Sequence, residues 1–246
     1  MKLTGNTILV TGGASGIGYA LATRFHQLGN EVIICGRRED KLMDAKDAHP
    51  DLHTYVCDLA DPRQREELCS WVQTYHSRMN VLVNNAGIQR SVDLTGDEHW
   101  DLTHAEIAIN LEAPIHLSRL FYPRLVQQDS PAILNVTSGL SFVPLASVPV
   151  YCATKAAMHS YTLSLRSQLS ESGIEVIEIV PPAVDTDLQA PGLHKFGVNV
   201  EEFTDAVVKG LEAGEKEIAY GTAEGASQAS RKQLEAIFQQ MNRTSG

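Results

Sequence analysis

Short apolar runs rich in β-branched residues alternate with longer amphipathic segments along most of this 246-residue chain. Most of the runs are continuously apolar, as expected for parallel strands that are covered on both faces. We predict strands over Thr7–Val10, Glu31–Cys35, His53–Val56, Val81–Val83, Ala132–Val136 and Ile174–Val180. Strands that alternate with helices in this way predict right-handed crossovers and a doubly wound parallel sheet between two layers of helices.

Helix signals fall between these strands. Gly29 is predicted to end the first helix, and Asp61-Pro62 places a capping acid before a proline at the first helical position. Later in the chain we predict a loop over 188–200, a helix over 200–213, a short strand over 217–220 and an amphipathic helix over 227–241. Because no linker or repeat divides the chain, we predict one domain over 1–246, with a substrate loop at about 187–200 and a C-terminal helix.

Composition excludes several classes of partner. The formal net charge of −10 disfavours binding to nucleic acid or to an anionic membrane surface. We find neither the apolar stretch of a signal peptide nor a run long enough to span a membrane, so we expect a cytoplasmic protein. His99 and His104 are five residues apart, which does not place two ligands on one helical face, and we expect no metal site.

A glycine-rich turn follows the first strand and opens the first helix, with the sequence Thr11-Gly12-Gly13-Ala14-Ser15-Gly16-Ile17-Gly18. Glycines let the backbone approach a pyrophosphate, and the start of the helix offers free N–H groups. A tight strand-to-helix turn also needs glycine, but the position of this turn in a βαβ unit favours a dinucleotide site in a Rossmann-type fold.

The end of the second strand bears on coenzyme choice. Sites specific for NAD usually carry Asp or Glu here, whereas this chain has Gly36 followed by Arg37. A guanidinium group pairs with a 2′-phosphate, so we predict NADP(H) as the preferred cofactor, with NAD(H) possible. The alternative is a solvated pair of arginines.

Polar residues follow the next two strands. Asp58 could accept a hydrogen bond from an adenine amino group, or could cap the following helix. Asn84-Asn85-Ala86-Gly87 ends the fourth strand, at the edge where doubly wound sheets bind ligands, although such a sequence could also form a structural turn.

The most informative group comprises Ser138, Tyr151 and Lys155. The tyrosine and lysine are spaced i, i+4 and therefore share one helix face. A lysine cation would lower the tyrosine pKa from its ordinary value of about 10 and so suit it to proton transfer. Ser138 follows the fifth strand and could stabilise negative charge on a substrate oxygen.

Together these motifs resemble the short-chain dehydrogenase/reductase superfamily in its single-domain form. The family pattern T-G-x-x-x-G-x-G matches 11–18, N-N-A-G matches 84–87, and Y-x-x-x-K matches 151–155. The segments 138–155 and 181–182 are most similar to the DltE-like oxidoreductases. Pro182 stands where the family usually has glycine, and the glycine-rich C-terminal strand of tetrameric members is not recognisable.

The resemblance implies an enzyme that interconverts a carbonyl and an alcohol, with Tyr151 as proton donor, Lys155 and Ser138 as its partners, and Asn110 positioning a water. The implied cofactor-binding residues are Gly12, Ser15, Gly16, Ile17, Gly18, Arg37, Asp58, Leu59, Asn85, Ala86, Gly87, Tyr151, Lys155, Pro181, Val184 and Thr186. Candidate substrate residues are Gln89, Arg90, Leu140, Phe142 and Val148.

Two other functions are alternatives to a carbonyl–alcohol oxidoreductase. A non-catalytic NADP-binding sensor would not need the proton-transfer residues, and an epimerase or dehydratase of the extended branch would need a larger C-terminal region.

A stripe of small residues bears on assembly. It lies on the helix that carries Tyr151, at Ala153, Ala156, Ser160, Ser164 and Ser167. The stripe could pack on the chain's own sheet or against a partner helix; we expect a homodimer, with a tetramer possible.

Overall fold

A seven-stranded, wholly parallel sheet in the order β3-β2-β1-β4-β5-β6-β7 forms the centre of the molecule. This is a computed structural model, and it describes residues 1–93, 95–96, 99–190 and 192–243. The strands are β1 (Thr7–Thr11), β2 (Glu31–Gly36), β3 (His53–Val56), β4 (Val81–Asn84), β5 (Ala132–Val136), β6 (Glu175–Val180) and β7 (Glu217–Ala219). The predicted doubly wound sheet is confirmed.

Helices cover both faces of the sheet. The α-helices are α1 (Gly16–Gln27), α2 (Glu39–Ala48), α3 (Pro62–Tyr75), α4 (Trp100–Ile107), α5 (Ala113–Leu125), α6 (Pro149–Gln168), α7 (Val200–Ala213), α8 (Thr222–Ser227) and α9 (Arg231–Asn242). Helices α1, α2 and α7 pack on one face, and α3, α5 and α6 pack on the other. The central strands are therefore buried on both sides, which explains their apolar runs, whereas the edge strand β3 is only partly buried.

The strand order creates a crevice between β1 and β4, because the chain winds outward from β1 in both directions. Hydrogen bonds tie the two loops at this point together. The hydroxyl of Thr11 accepts from the backbone N–H groups of Asn85 and Ala86, each at 3.0 Å. The side-chain amide of Asn85 donates back to the carbonyl of Thr11 at 2.9 Å. These hydrogen bonds thus fix the two loops at the base of the crevice.

The helix boundaries agree with most of the local signals. Asp61 caps α3 by accepting from the N–H of Arg63 at 2.9 Å, and Gly29 adopts a left-handed φ of +81° just after α1. The C-terminal helix was predicted wrongly as one segment over 227–241. The chain instead ends α8 at Ser227 and begins α9 at Arg231, because Ser230 and Gln233 form a reciprocal capping box.

The loop after β6 is closed at its base. A parallel bridge joins Val184 to Val198, with backbone hydrogen bonds of 2.9 Å from Asp185 to Val198 and from Val198 to Ala183. Farther out, the side chain of Gln189 donates to the Ser91 hydroxyl at 2.9 Å, which links this loop to the loop after β4. These hydrogen bonds therefore hold the loop predicted over 187–200 across the crevice. Pro191, within this loop, lies outside the described residues.

In the part of the chain that the structure describes, none of the helices combines the length and the apolar character needed to cross a bilayer.

Candidate active site

The glycine-rich turn brings backbone close to backbone. Gly12 has a left-handed φ of +64°, and a Cβ there would lie 2.9 Å from the Cα of Ala86. A Cβ on Gly18 would lie 2.4 Å from the carbonyl oxygen of Gly12 and 2.3 Å from the Asn85 amide. Only glycine fits these positions, and α1 begins at Gly16 with its first N–H groups facing the crevice edge.

A cleft of about 470 Å³ runs along the carboxyl ends of the strands, a size typical of small-molecule sites. Most of the residues that we expected to hold a cofactor line it: Gly12, Ser15, Gly16, Ile17, Gly18, Arg37, Asp58, Leu59, Asn85, Ala86, Gly87, Tyr151, Lys155, Pro181 and Thr186. Val184 does not line the cleft but is buried in the core beneath α7. Thus the fold gathers into one cleft residues from loops far apart in sequence.

One end of the cleft is cationic. Beside Gly36 and Arg37 it is lined by Arg38 and Lys41, which sequence reasoning missed. The guanidinium of Arg38 donates to the hydroxyl of Ser15 at 3.0 Å, so it reaches from α2 to the glycine-rich turn. In the sequence, Arg38 and Lys41 look like ordinary solvated charges at the start of a helix. Their spacing of three residues, which places both on one side of α2, was the available signal.

The loop after β3 is held by its own hydrogen bonds. The carboxylate of Asp58 accepts from the N–H of Ala60 at 3.0 Å, and the backbone N–H of Asp58 donates to the Gln64 side chain at 2.8 Å. Leu59 is buried, while Cys57 and Ile109 complete this part of the lining. This end of the cleft could accept a flat, partly apolar ring such as adenine.

The opposite end holds the proton-transfer candidates. Tyr151 and Lys155 lie in the first two turns of α6, and Ser138 is the second residue after the end of β5. All three side chains are buried. The amino group of Lys155 lies 5.7 Å from the centre of the Tyr151 ring and donates to the carbonyl of Val136 at 2.8 Å. Strand β5 and helix α6 thus meet at one cluster of polar groups.

Burial controls the titration of this cluster. It raises the pKa of Tyr151 above its ordinary value, and a hydrogen bond with the Ser138 hydroxyl offsets only part of that effect. Burial also lowers the pKa of Lys155, to about 8. We expected the lysine cation to lower the tyrosine pKa; instead desolvation of the buried phenol is the largest effect and raises it. The phenol is therefore protonated at neutral pH.

Asn110 sits in a single π-helical turn, Ala108–Glu112, between α4 and α5. Its side chain accepts from the N–H of Ile88 and donates to the Ile88 carbonyl, both at 2.8 Å, and donates to the Thr154 hydroxyl at 3.2 Å. A Cβ on Gly87 would lie within 4 Å of both Asn110 and Lys155. The π turn therefore brings the predicted asparagine beside the lysine, and such turns often occur at functional sites.

A buried carboxylate holds the residue that precedes Ser138. Glu178 on β6 accepts from the Thr137 hydroxyl at 2.7 Å and lies 3.0 Å from the ring nitrogen of His159. His159 is one turn beyond Lys155 on the same face of α6, and hydrogen bonding to Glu178 raises its pKa. The residue before Ser138 is therefore fixed by a charged hydrogen-bond network, which sequence reasoning did not identify.

The candidate substrate residues differ in their burial and in their contacts. Val148 is buried and packs with Tyr151, next to the half-buried Leu140. The Phe142 ring contacts the His159 ring edge to face, with centroids 4.7 Å apart. Gln89 is buried, while Arg90 is half-buried. Ile88, Asp187 and Leu188 also line the cleft. The last two belong to the predicted substrate loop, whereas Ile88 was not predicted.

A cleft beside a Ser-Tyr-Lys cluster is typical of one class of oxidoreductases. A family model for short chain dehydrogenases matches residues 6–195. The chain belongs to the short-chain dehydrogenase family. Over 248 aligned positions it is 49% identical to an uncharacterized oxidoreductase, DltE, of Bacillus subtilis (strain 168), which covers 98% of both chains. The predicted resemblance to DltE-like oxidoreductases is confirmed.

Solved structures share the fold. A short chain dehydrogenase from Burkholderia cenocepacia J2315, in complex with NADP, has a TM-score of 0.84 at 28% identity, covering 97% of this chain and 99% of that one. A short-chain dehydrogenase from Sphingobium yanoikuyae, in complex with NADPH, has a TM-score of 0.82 at 24% identity and covers 98% of both chains. The second likeness concerns the fold alone.

Proposed function

We propose that this protein is an NADP(H)-dependent oxidoreductase that interconverts a carbonyl and an alcohol. The observation that carries the proposal is the position of Tyr151 and Lys155, which line the same cleft as the glycine-rich turn. Because a hydride donor and a proton donor must act on one substrate bond, they have to share one site. The related structure from Burkholderia cenocepacia contains NADP, which supports the choice of cofactor class.

The residues present suit an NADP molecule. Gly12 and Gly18 allow the glycine-rich turn to pack closely against the loop after β4, and the start of α1 offers N–H groups for a pyrophosphate. Three cationic side chains, Arg37, Arg38 and Lys41, line one end of the cleft, where a 2′-phosphate would need charge-assisted hydrogen bonds. When bound, the nicotinamide supplies or accepts a hydride.

The protein's own part in the reaction is orientation and proton transfer. The Ser138 hydroxyl would hold the carbonyl oxygen of the substrate, and the protonated Tyr151 would donate its proton to that oxygen as negative charge develops. Lys155 would hold the nicotinamide ribose and stabilise the phenolate left behind. Asn110, fixed by the π turn, would position a water that connects Lys155 with solvent. We place this chemistry in the cytoplasm, as the sequence predicts.

The proposal is tested by following NADPH absorbance at 340 nm with a panel of ketones, aldehydes and quinones. Turnover of at least one member that is lost in Tyr151→Phe supports a carbonyl reductase. Tight NADPH binding with no turnover across the panel, in either direction, would instead favour the non-catalytic sensor.

Coenzyme preference gives a prediction of its own. Arg37→Ala should weaken NADPH binding about tenfold or more, since one charge-assisted phosphate contact contributes roughly 1.5–3 kcal/mol, while NADH binding changes little. Arg38→Ala should act in the same direction. Dissociation constants from fluorescence titration measure both effects, and Arg231→Ala, at the exposed start of α9, controls for the lost charge. Equal affinity of the wild-type protein for the two coenzymes would contradict the preference.

We also propose that the protein is a homodimer joined through α5 and α6. The small residues Ala153, Ala156, Ser160, Ser164 and Ser167 are all exposed, so the stripe does not pack on the chain's own sheet. Leu163 beside it and Tyr122 on α5 are 44% and 41% exposed. A smooth stripe flanked by apolar side chains suits close approach of a second helix, and a twofold pair is the commonest closed assembly.

Sedimentation equilibrium at micromolar concentration is expected to give twice the chain mass. Ser160→Arg should shift the protein toward the monomer, because a long charged side chain would separate the two helices. Ala213→Arg, at the exposed end of α7 on the other face of the sheet, should leave the mass unchanged. A dimer that Ser160→Arg does not disturb would move the interface elsewhere.

A further inference from the structure

We propose that Glu31, His53 and His76 form a zinc site at the edge of the sheet opposite the cleft. Glu31 begins β2, His53 begins β3, and His76 follows the last residue of α3. In sequence they lie far apart and match no common ligand spacing. The fold brings one potential ligand atom from each of them within 4.8 Å of the others.

Strand register explains why the three side chains meet. His53 is paired with Ile33, and Ile33 lies two residues beyond Glu31 on β2. Because side chains two residues apart on a strand share a face, Glu31 and His53 project to the same side of the sheet. That side is covered by α3, whose C-terminal end delivers His76.

The separations fit a tetrahedral ion. The carboxylate of Glu31 lies 2.7 Å from Nδ1 of His76 and 3.5 Å from Nε2 of His53. Ligands bonded to zinc at about 2.0–2.2 Å in a tetrahedron are about 3.4 Å apart, so only small side-chain movements are required. Two imidazoles and a carboxylate are a ligand set that zinc takes in proteins, with the fourth position left to water.

Surrounding groups hold the ligands in place. The Thr7 hydroxyl donates to the second oxygen of Glu31 at 2.8 Å, leaving the first oxygen directed at the histidines. Trp71 packs on His76 with ring centroids 4.8 Å apart. Such outer contacts orient metal ligands and strengthen binding.

Access and charge also suit a cation. The side chain of His76 is 5% exposed, whereas that of His53 is 41% exposed, so an ion can enter from the His53 side. The three ligands together carry one negative charge, on a protein with a formal net charge of −10.

The site is separate from the proposed catalysis. Glu31 and Gly36 lie at opposite ends of β2, about 17 Å apart for five residue steps, and Gly36 lines the cleft. We therefore assign the zinc a structural role, joining β2, β3 and the end of α3. An ion that binds only the folded state raises the melting temperature.

The test uses full-length, tag-free protein treated with EDTA and then titrated with ZnCl₂ by calorimetry, with Trp71 fluorescence as a second readout. We expect one zinc per chain, and a Tm increase of roughly 5–10 °C at a hundredfold excess over Kd. His53→Gln and His76→Gln should each weaken binding at least tenfold. Thr7→Val should weaken it by about 10–100-fold through loss of ligand orientation.

His159→Gln is the matched control, because His159, Glu178 and Glu217 form a second group of potential ligand atoms. Zinc binding that is lost in His159→Gln but retained in His53→Gln would overturn the assignment, as would no binding at 100 µM zinc. Circular dichroism verifies folding of each variant, and the partly exposed His53 avoids the packing changes that replacing His76 entails. NADPH affinity should be unchanged in His53→Gln, His76→Gln and Thr7→Val.

Discussion

Replacing Tyr151 with phenylalanine is expected to lower kcat by roughly 10²–10⁴-fold while NADPH affinity stays within about twofold of wild type. The variant removes one oxygen atom from a buried ring and leaves the packing with Val148 and Cys152 intact. Only the proton donor is lost, so the reaction should fail after the coenzyme has bound. Steady-state kinetics with a substrate from the panel and NADPH fluorescence titration separate these two quantities.

Tyr161→Phe is the matched control, since Tyr161 is a half-buried tyrosine on the same helix, ten residues farther along and packed away from the cleft. It should keep normal turnover. Lys155→Met should lower both kcat and coenzyme affinity, because its amino group is expected to serve the tyrosine and the ribose together. Wild-type turnover in Tyr151→Phe would refute the assignment of the proton donor.

The second large effect is expected for Gly18→Ala, which should weaken NADPH binding by at least tenfold and lower the Tm. A methyl group there would lie 2.4 Å from the carbonyl oxygen of Gly12, which is backbone and cannot rotate away. It would also displace the Asn85 amide, which holds the glycine-rich turn through Thr11. Overpacking of this kind typically costs about 1–3 kcal/mol. Titration calorimetry and thermal melts measure the two losses.

Gly225→Ala provides the comparison, because a Cβ on Gly225 would meet nothing within 4 Å. This substitution should be neutral or slightly stabilising, as expected for a glycine replaced within a helix. If Gly18→Ala bound NADPH as tightly as Gly225→Ala, the glycine-rich turn would not be the pyrophosphate site.

Local signals sufficed for most of the architecture. Each of the first six strands was predicted to within one residue at either end. Strands buried on both faces form apolar runs, and the partly exposed β3 was marked by its β-branched and aromatic residues. The motifs also marked the residues that would meet, since the carboxyl ends of parallel strands share one edge. The start of α9 was missed because the segment 227–233 contains one apolar residue, Ala229, and so has no period that marks a boundary, while the cap at Ser230 decides where the helix begins.

Features that depend on distant contacts were not predictable in this way. The π turn at Ala108–Glu112 joins α4 to α5 with no sequence break that marks it. Arg38 and Lys41 line the cleft because the chain passes from β2 into α2 at the edge where the strands end. The raised pKa of Tyr151 reflects burial, a property of the whole fold, whereas the sequence indicated only a neighbouring lysine.

The placement of Tyr151 within α6 has an electrostatic consequence. Pro149 and Val150 are the first two residues of the helix, so Tyr151 is the third. Side chains on a helix lean toward its start, and the peptide dipoles there sum to about half a positive charge. A phenolate formed at this position would gain roughly 0.3–1 kcal/mol, and up to about 2 kcal/mol when shielded from solvent. The backbone thus offers a permanent, non-titrating counter-charge that no side-chain substitution in the cleft removes.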